Sequence, residues 1–161
     1  MDRVNKIINN AQFRNNLEKI KELEKDRIYC RHNLQHFLDV ARVAYIISLE
    51  KKFKLSKEVI YASALLHDIG KWRQYVEGID HSIASAEIAE GILKDCFYSK
   101  DEISIILEAI KKHRTGENLI TELDLVLYEG DKRSRLCVDC NSIKSCKRFI
   151  NDERSLDVPL L

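Results

Sequence analysis

Ala64-Leu65-Leu66-His67-Asp68-Ile69-Gly70-Lys71 is the stretch on which the fold turns. A strongly apolar helix runs into an imidazole and a carboxylate, and a glycine that can end a helix follows at once. Behind it, Ser56-Lys57-Glu58 opens that helix and Val59, Ile60, Ala62, Ala64 and Leu66 carry its apolar residues. His67 and Asp68 therefore stand at a helix C-terminal end, with an apolar wall beside a polar pair. That is how a dry site is built.

Working outward, the same period of three and four recurs. Leu34, Phe37, Leu38, Ala41, Ala44 and Tyr45 follow Asn33, a suitable N-cap, in a helix over 33–51. Val4, Ile7, Ile8 and Ala11, then Phe13, Leu17, Ile20 and Leu23, make one or two amphipathic helices of the first 25 residues. Asp80 can cap a helix from His81 to about Leu93, and Ser99 with Glu102 forms a capping box for a helix through Lys112. Gly116 marks its exit, and Thr121 with Asp124 starts the next helix, which runs to Arg135 across Gly130. No strand pattern of comparable strength occurs, so one all-α domain of six or seven helices is expected.

Composition agrees. A chain of 161 residues, 45% hydrophobic and 33% charged, is too apolar for disorder and long enough to bury a core, while five Gly and one Pro disfavour a turn-rich all-β fold. Lys and Arg number 27 against 26 Asp and Glu, so no global field attracts nucleic acid or a membrane surface. The longest apolar runs, such as Ala44-Tyr45-Ile46-Ile47, fall far short of the ~20 residues that span a bilayer. With no secretory signal at the N-terminus, a cytoplasmic location is expected.

Of only five histidines, His36, His67, His81 and His113 fall at ends or turns of these helices. Scattered core histidines would not favour such positions, and imidazole with carboxylate suits Zn, Fe or Mn better than Ca or Mg.

The order His36, His67-Asp68, Asp131, with Asp131 in Leu127-Tyr128-Glu129-Gly130-Asp131-Lys132, resembles the HD superfamily of metal-dependent phosphohydrolases over roughly residues 28–136. His81 in Asp80-His81-Ser82-Ile83-Ala84-Ser85-Ala86 and His113 in Lys112-His113-Arg114-Thr115-Gly116 resemble the two further histidines of members with a binuclear centre. The pattern resembles in particular the bacterial hydrolases of symmetric dinucleoside tetraphosphates, whose His-Thr-Thr-Gly turn carries Arg114 in its second position here. The resemblance implies His36, His67, Asp68 and Asp131 on one divalent ion (Fe, Mn or Zn), His81 and His113 on a second, and Asp68 bridging. Such a pair acidifies a water and clamps the attacking and leaving oxygens of a phosphoryl displacement. The chain then divides into an N-terminal helical segment (1–27), the HD domain (28–136) and a Cys-containing appendage with a polar tail (137–161). His32, one turn before His36, is given no ligand role by the resemblance and is read as structural or as support for a ligand.

Cations adjoin each motif: Lys71 and Arg73, Arg114, and Lys132 and Arg135. Arg binds phosphate bidentately and Lys acts as a point charge, so these five are the candidate phosphate contacts. Lys71 has the best claim, since the His-Asp-Ile-Gly-Lys continuation recurs in the binuclear group, and it is carried with Asp68 as a catalytic candidate. Trp72 and Tyr75 either stack on a base or pack. Cys137, Cys140 and Cys146, with Cys30 as fourth ligand, could hold a structural Zn or an iron–sulfur cluster, whereas Cys96 is expected to pack. The resulting expectation is a hydrolase of a nucleotide phosphate ester or anhydride, with dinucleoside polyphosphate among its substrates. The alternative is a nucleotide-binding or metal- or redox-sensing regulator without turnover.

Overall fold

In a computed structural model that describes residues 1–146 and Phe149, the chain forms eight α-helices and no strand among those residues. They are α1 (Asp2–Asn9), α2 (Ala11–Leu23), α3 (Leu34–Glu50), α4 (Lys57–Leu66), α5 (Lys71–Glu77), α6 (His81–Asp95), α7 (Lys100–Lys112) and α8 (Glu122–Arg133). The all-α bundle expected from periodicity is what forms. Its starts are set by side-chain caps: Asn33 accepts from the His36 amide, Asp80 from Ser82, and Ser99–Glu102 and Thr121–Asp124 close full capping boxes. Each cap satisfies amides that a helix start leaves without partners.

Helix α3 lies at the centre, packed against α4 on one side and α8 on the other. Phe37, Val40, Ala41, Ala44 and Ile47 give it a buried face, and Leu65, Leu66 and Ile69 continue the same core at the end of α4. The α3–α8 crossing is close because Gly130 has no side chain. A Cβ there would lie 2.9 Å from the Ala44 Cβ and 3.1 Å from the Val40 carbonyl oxygen.

Helix α5 is additional to the helices read from the periodicity, and Gly70 explains it. Gly70 does not close α4 with a left-handed turn; its φ is −91° and it serves as the N-cap of α5. Its amide donates to Ser85 Oγ at 2.9 Å, and an added Cβ would meet Ser85 N at 2.4 Å and Ala84 C at 2.5 Å. The glycine is there so that the turn after Asp68 can press against the backbone of α6.

The first 27 residues pack on the bundle. Arg3 joins Glu58 of α4 (Nε–Oε2 2.7 Å) to Glu102 of α7 (2.7 Å), and Asn16 of α2 accepts from Trp72 Nε1 of α5 at 2.6 Å. After α8 come two 3-10 turns, Cys137–Asp139 and Ile143–Ser145. They are tied to the segment before α3 by Ser142 Oγ donating to the Ile28 carbonyl (2.9 Å) and Tyr29 donating to the Ser145 carbonyl (3.3 Å). The polar tail from Asn151 lies outside the described residues.

Two glycines separate close packing from helix propensity. Gly70→Ala is expected to cost about 3 kcal/mol, the upper end of overpacking, because backbone atoms cannot yield as side chains can. Gly91→Ala inside α6, whose Cβ would meet only the flexible Gln12 Oε1 at 3.3 Å, is expected to be neutral or stabilising by up to about 1 kcal/mol. Urea unfolding of the two variants beside wild type checks both signs.

Candidate metal centre

Five helix ends converge on one point. His67 and Asp68 follow α4, His36 sits in the first turn of α3, His81 begins α6, His113 ends α7 and Asp131 lies in the last turn of α8. His67, Asp68, His81, His113 and Asp131 are buried. The structure thus brings together all six residues singled out by the sequence.

Asp68 lies at the middle. Its Oδ2 is 3.3 Å from His67 Nε2, and its Oδ1 is 3.3 Å from His81 Nε2 and 3.7 Å from His113 Nε2. Two sets of donor atoms each gather within 4.8 Å, His36–His67–Asp68 and Asp68–His81–His113, and they share Asp68. Asp131 stands beside the first set, its Oδ1 3.5 Å from His36 Nε2 and 3.8 Å from His67 Nε2. The rings form a chain of edge contacts, His36–His67 at 5.5 Å, His67–His113 at 5.0 Å and His81–His113 at 5.3 Å between centroids.

Tautomers are fixed by the helix ends. Nδ1–H of His67 donates to the Ala64 carbonyl (2.7 Å) and that of His113 to the Ile110 carbonyl (2.6 Å), so the Nε2 of each faces Asp68. These carbonyls belong to last helical turns, which lack amide partners of their own. His36 Nε2, His67 Nε2 and Asp68 Oδ1 are buried without a hydrogen-bond partner. Orphaned buried lone pairs on several groups at one point are rare in proteins, and a bound cation accounts for them. The donor set, imidazole with carboxylate, fits divalent transition ions.

Electrostatics agree. Burial, with the charges of Arg135 and His67, pushes His36 down to about 3, and burial likewise brings His81 to about 3, so both are neutral donors at neutral pH. Burial alone would raise Asp68, but the surrounding histidines hold it well below the carboxylate range. Asp131 is likewise kept ionised against its burial, chiefly by Arg135, His67 and Lys132.

The five candidate phosphate contacts separate into three groups. Arg73 is engaged by Glu77 (2.8 Å) and Glu87 (2.6 Å), and Arg114 by Asp80. Lys132 Nζ lies 3.0 Å from Asp131 Oδ2, and Arg135 donates to Oδ1 at 2.7 Å, so these two balance the charge of a candidate ligand. Lys71 alone of the five has no side-chain hydrogen bond or ion pair among the described residues. It is half-buried, and its ammonium feels desolvation first and the attraction of Asp68 second. Trp72 and Tyr75 pack: Lys19 covers the indole, with Nζ 4.0 Å from its centroid, and the Tyr75 hydroxyl donates to Glu24.

Cys96 is buried in the core as expected. Cys30, Cys137, Cys140 and Cys146 are half-buried, and no three of them come within 4.8 Å of one another at sulfur. The structure therefore does not assemble the expected quartet; Cys30 instead lies against the Arg135 guanidinium.

Sequence reasoning missed Glu24. This carboxylate, just past α2, is buried, accepts from the His32 backbone amide (2.6 Å) and lies 2.5 Å from His32 Nδ1. Burial would raise its pKa, yet the His32 contacts and the Tyr75 hydroxyl hold it at about 2. His32 in turn brings Nε2 to 3.5 Å from Asp68 Oδ2. No sequence signal marks Glu24, an acidic residue at the end of an amphipathic helix, whereas the spacing of four between His32 and His36 is a signal for His32.

Comparison with known proteins accords with this geometry. The chain is 46% identical over 146 residues to an uncharacterised protein of Clostridium beijerinckii, covering 91% of this chain and 92% of that one. A predicted HD superfamily hydrolase from an uncultured Thermotogales bacterium, known from its crystal structure, is similar in fold. It superposes with a TM-score of 0.58 at 27% identity over 74% of this chain, the match spanning 66% of that protein. Residues 33–136 match the HD domain family, a stretch that contains all six residues of the cluster, and the chain belongs to that family.

Proposed function

We propose that the protein is a metal-dependent phosphohydrolase that splits a phosphate ester or anhydride of a nucleotide, with dinucleoside polyphosphates as the first substrate class to test. The observation that carries this reading is Asp68, a buried carboxylate whose two oxygens face imidazoles from different helices. One carboxylate between two donor sets is the arrangement needed to hold two divalent ions side by side. When bound there, such ions supply an acidified water and a clamp on phosphoryl oxygens.

The chain's own residues do the rest. His36, His67, Asp68 and Asp131 would hold one ion, and Asp68, His81 and His113 the other. Lys71, one turn beyond Asp68 and without a side-chain hydrogen bond or ion pair among the described residues, would receive negative charge that builds on a phosphate or leaving oxygen. Arg135 and Lys132 keep Asp131 ionised and oriented. The apolar residues behind the site, Leu66 and Ile69 among them, keep the rear of the centre dry and so strengthen its charges.

The test is turnover of diadenosine tetraphosphate, nucleoside mono-, di- and triphosphates and cyclic dinucleotides, run without oxygen with Fe(II) or Mn(II). Wild-type protein is expected to hydrolyse at least one of them and to bind about two ions per chain. Asp68→Ala is expected to lose both properties together, read by metal analysis after gel filtration. A protein that carries two ions and returns every substrate unchanged overturns the reading and favours a nucleotide- or metal-sensing role.

Lys71→Met separates charge from metal binding. Its kcat/KM is expected to fall about 10²- to 10³-fold, as when a single preorganised donor is removed, with Mn(II) content as in wild type. Unchanged turnover would remove Lys71 from the site.

A further inference from the structure

His32 precedes the region matched to the family by one residue, and Glu24 precedes it by nine. Both are nonetheless buried at the centre, His32 with 4% of its surface exposed. Glu24 as a carboxylate can only accept, so His32 Nδ1 carries the proton in that 2.5 Å contact. The second ring nitrogen, Nε2, points to Asp68 Oδ2 at 3.5 Å.

This is the arrangement of His67 and His113. In all three, Nδ1–H is fixed on an acceptor and Nε2 faces an Asp68 oxygen. Metal-binding histidines characteristically donate their other ring N–H to a carboxylate or carbonyl, which sets the tautomer and raises the basicity of the ligating nitrogen. Glu24 is a stronger acceptor than the Ala64 and Ile110 carbonyls. It is itself anchored by the Tyr75 hydroxyl at 2.5 Å and the His32 amide.

Resting on the metal centre argued above, we infer that His32 is a seventh protein ligand, binding through Nε2 on the Oδ2 side of Asp68, with Glu24 and Tyr75 as its positioning residues. Every histidine of the chain then serves the centre, five of five. The two ions are held unequally. Four residues besides Asp68 (His32, His36, His67 and Asp131) serve the Oδ2 side, against two, His81 and His113, on the Oδ1 side. The poorer side is the one with positions left for water and substrate oxygen.

The count of histidines makes the test direct. Protein labelled with ¹⁵N is titrated with Zn(II), and the ring nitrogens are read by long-range ¹H–¹⁵N correlation, in which a metal-bound Nε2 is distinct from a protonated or bare one. Five metal-bound imidazoles in wild-type protein are expected, a result that needs no variant. His32→Gln identifies the His32 signals by their loss, and Glu24→Gln, which removes no ligand, is expected to weaken Zn(II) binding about 10- to 100-fold. A Zn(II)-saturated spectrum in which four imidazoles shift and His32 Nε2 keeps its metal-free position overturns the inference and leaves the phosphohydrolase reading standing. Absence of any Zn(II)-bound imidazole overturns both.

Discussion

Asp68 is a charge placed where water cannot reach it, with 2% of its surface exposed. An isolated carboxylate in that position would cost several kcal/mol even after relaxation, or would take up a proton. Imidazoles stand around it, His67 and His32 toward one oxygen and His81 and His113 toward the other, and His67, His32 and His113 hold it ionised against its burial. Those four come from the end of α4, the loop before α3, the start of α6 and the end of α7. Burying Asp68 therefore requires four separate elements to arrive together, and the bundle's topology is the arrangement that meets this condition.

Helix ends suit the task for a reason beyond proximity. The final carbonyls of a helix have no amide partner and need donors, and the imidazoles of His67 and His113 supply them. The same contact turns Nε2 toward Asp68. Helix termination, carbonyl satisfaction and ligand orientation are one event at each of these residues.

That coupling explains what the sequence made legible. Histidines at predicted helix ends could be found because helix ends have their own signals, Asn33, Asp80, Ser99 and Thr121, and all four caps form. The restart of the helix at Lys71 was not legible. Gly70 looks like a terminator, and only its approach to the backbone of Ser85 shows that it is a close-contact glycine with ordinary φ. The roles of the cations were half legible. A Lys or Arg beside a motif has one appearance in sequence, whereas in space Arg73 and Arg114 are taken by surface acids, Lys132 and Arg135 by Asp131, and Lys71 by none of them. The C-x2-C spacing, and the approach of Cys30 and Cys137 beside His36 and Asp131, suggested a cysteine quartet, but C-x2-C fixes only local separation, and Cys30 lies against Arg135.

Glu24 shows where a one-dimensional reading ends. The residue lies in a segment whose apolar pattern announces only an amphipathic helix. Its partner His32 is eight positions away through a turn, and its functional neighbour Asp68 is forty-four away. What places it is the docking of α1 and α2: Arg3 spans Glu58 and Glu102, Trp72 reaches Asn16, and the end of α2 is carried to the rim of the centre. An exposed ion pair contributes little to stability, but the Arg3 pairs are half-buried and the Arg3 guanidinium also lies over the Tyr98 ring at 4.2 Å. They locate α1, α1 locates α2, and α2 sets Glu24 against His32. The N-terminal helices are thus part of the site's construction, since without the carboxylate nothing would fix the His32 ring with its Nε2 turned to Asp68.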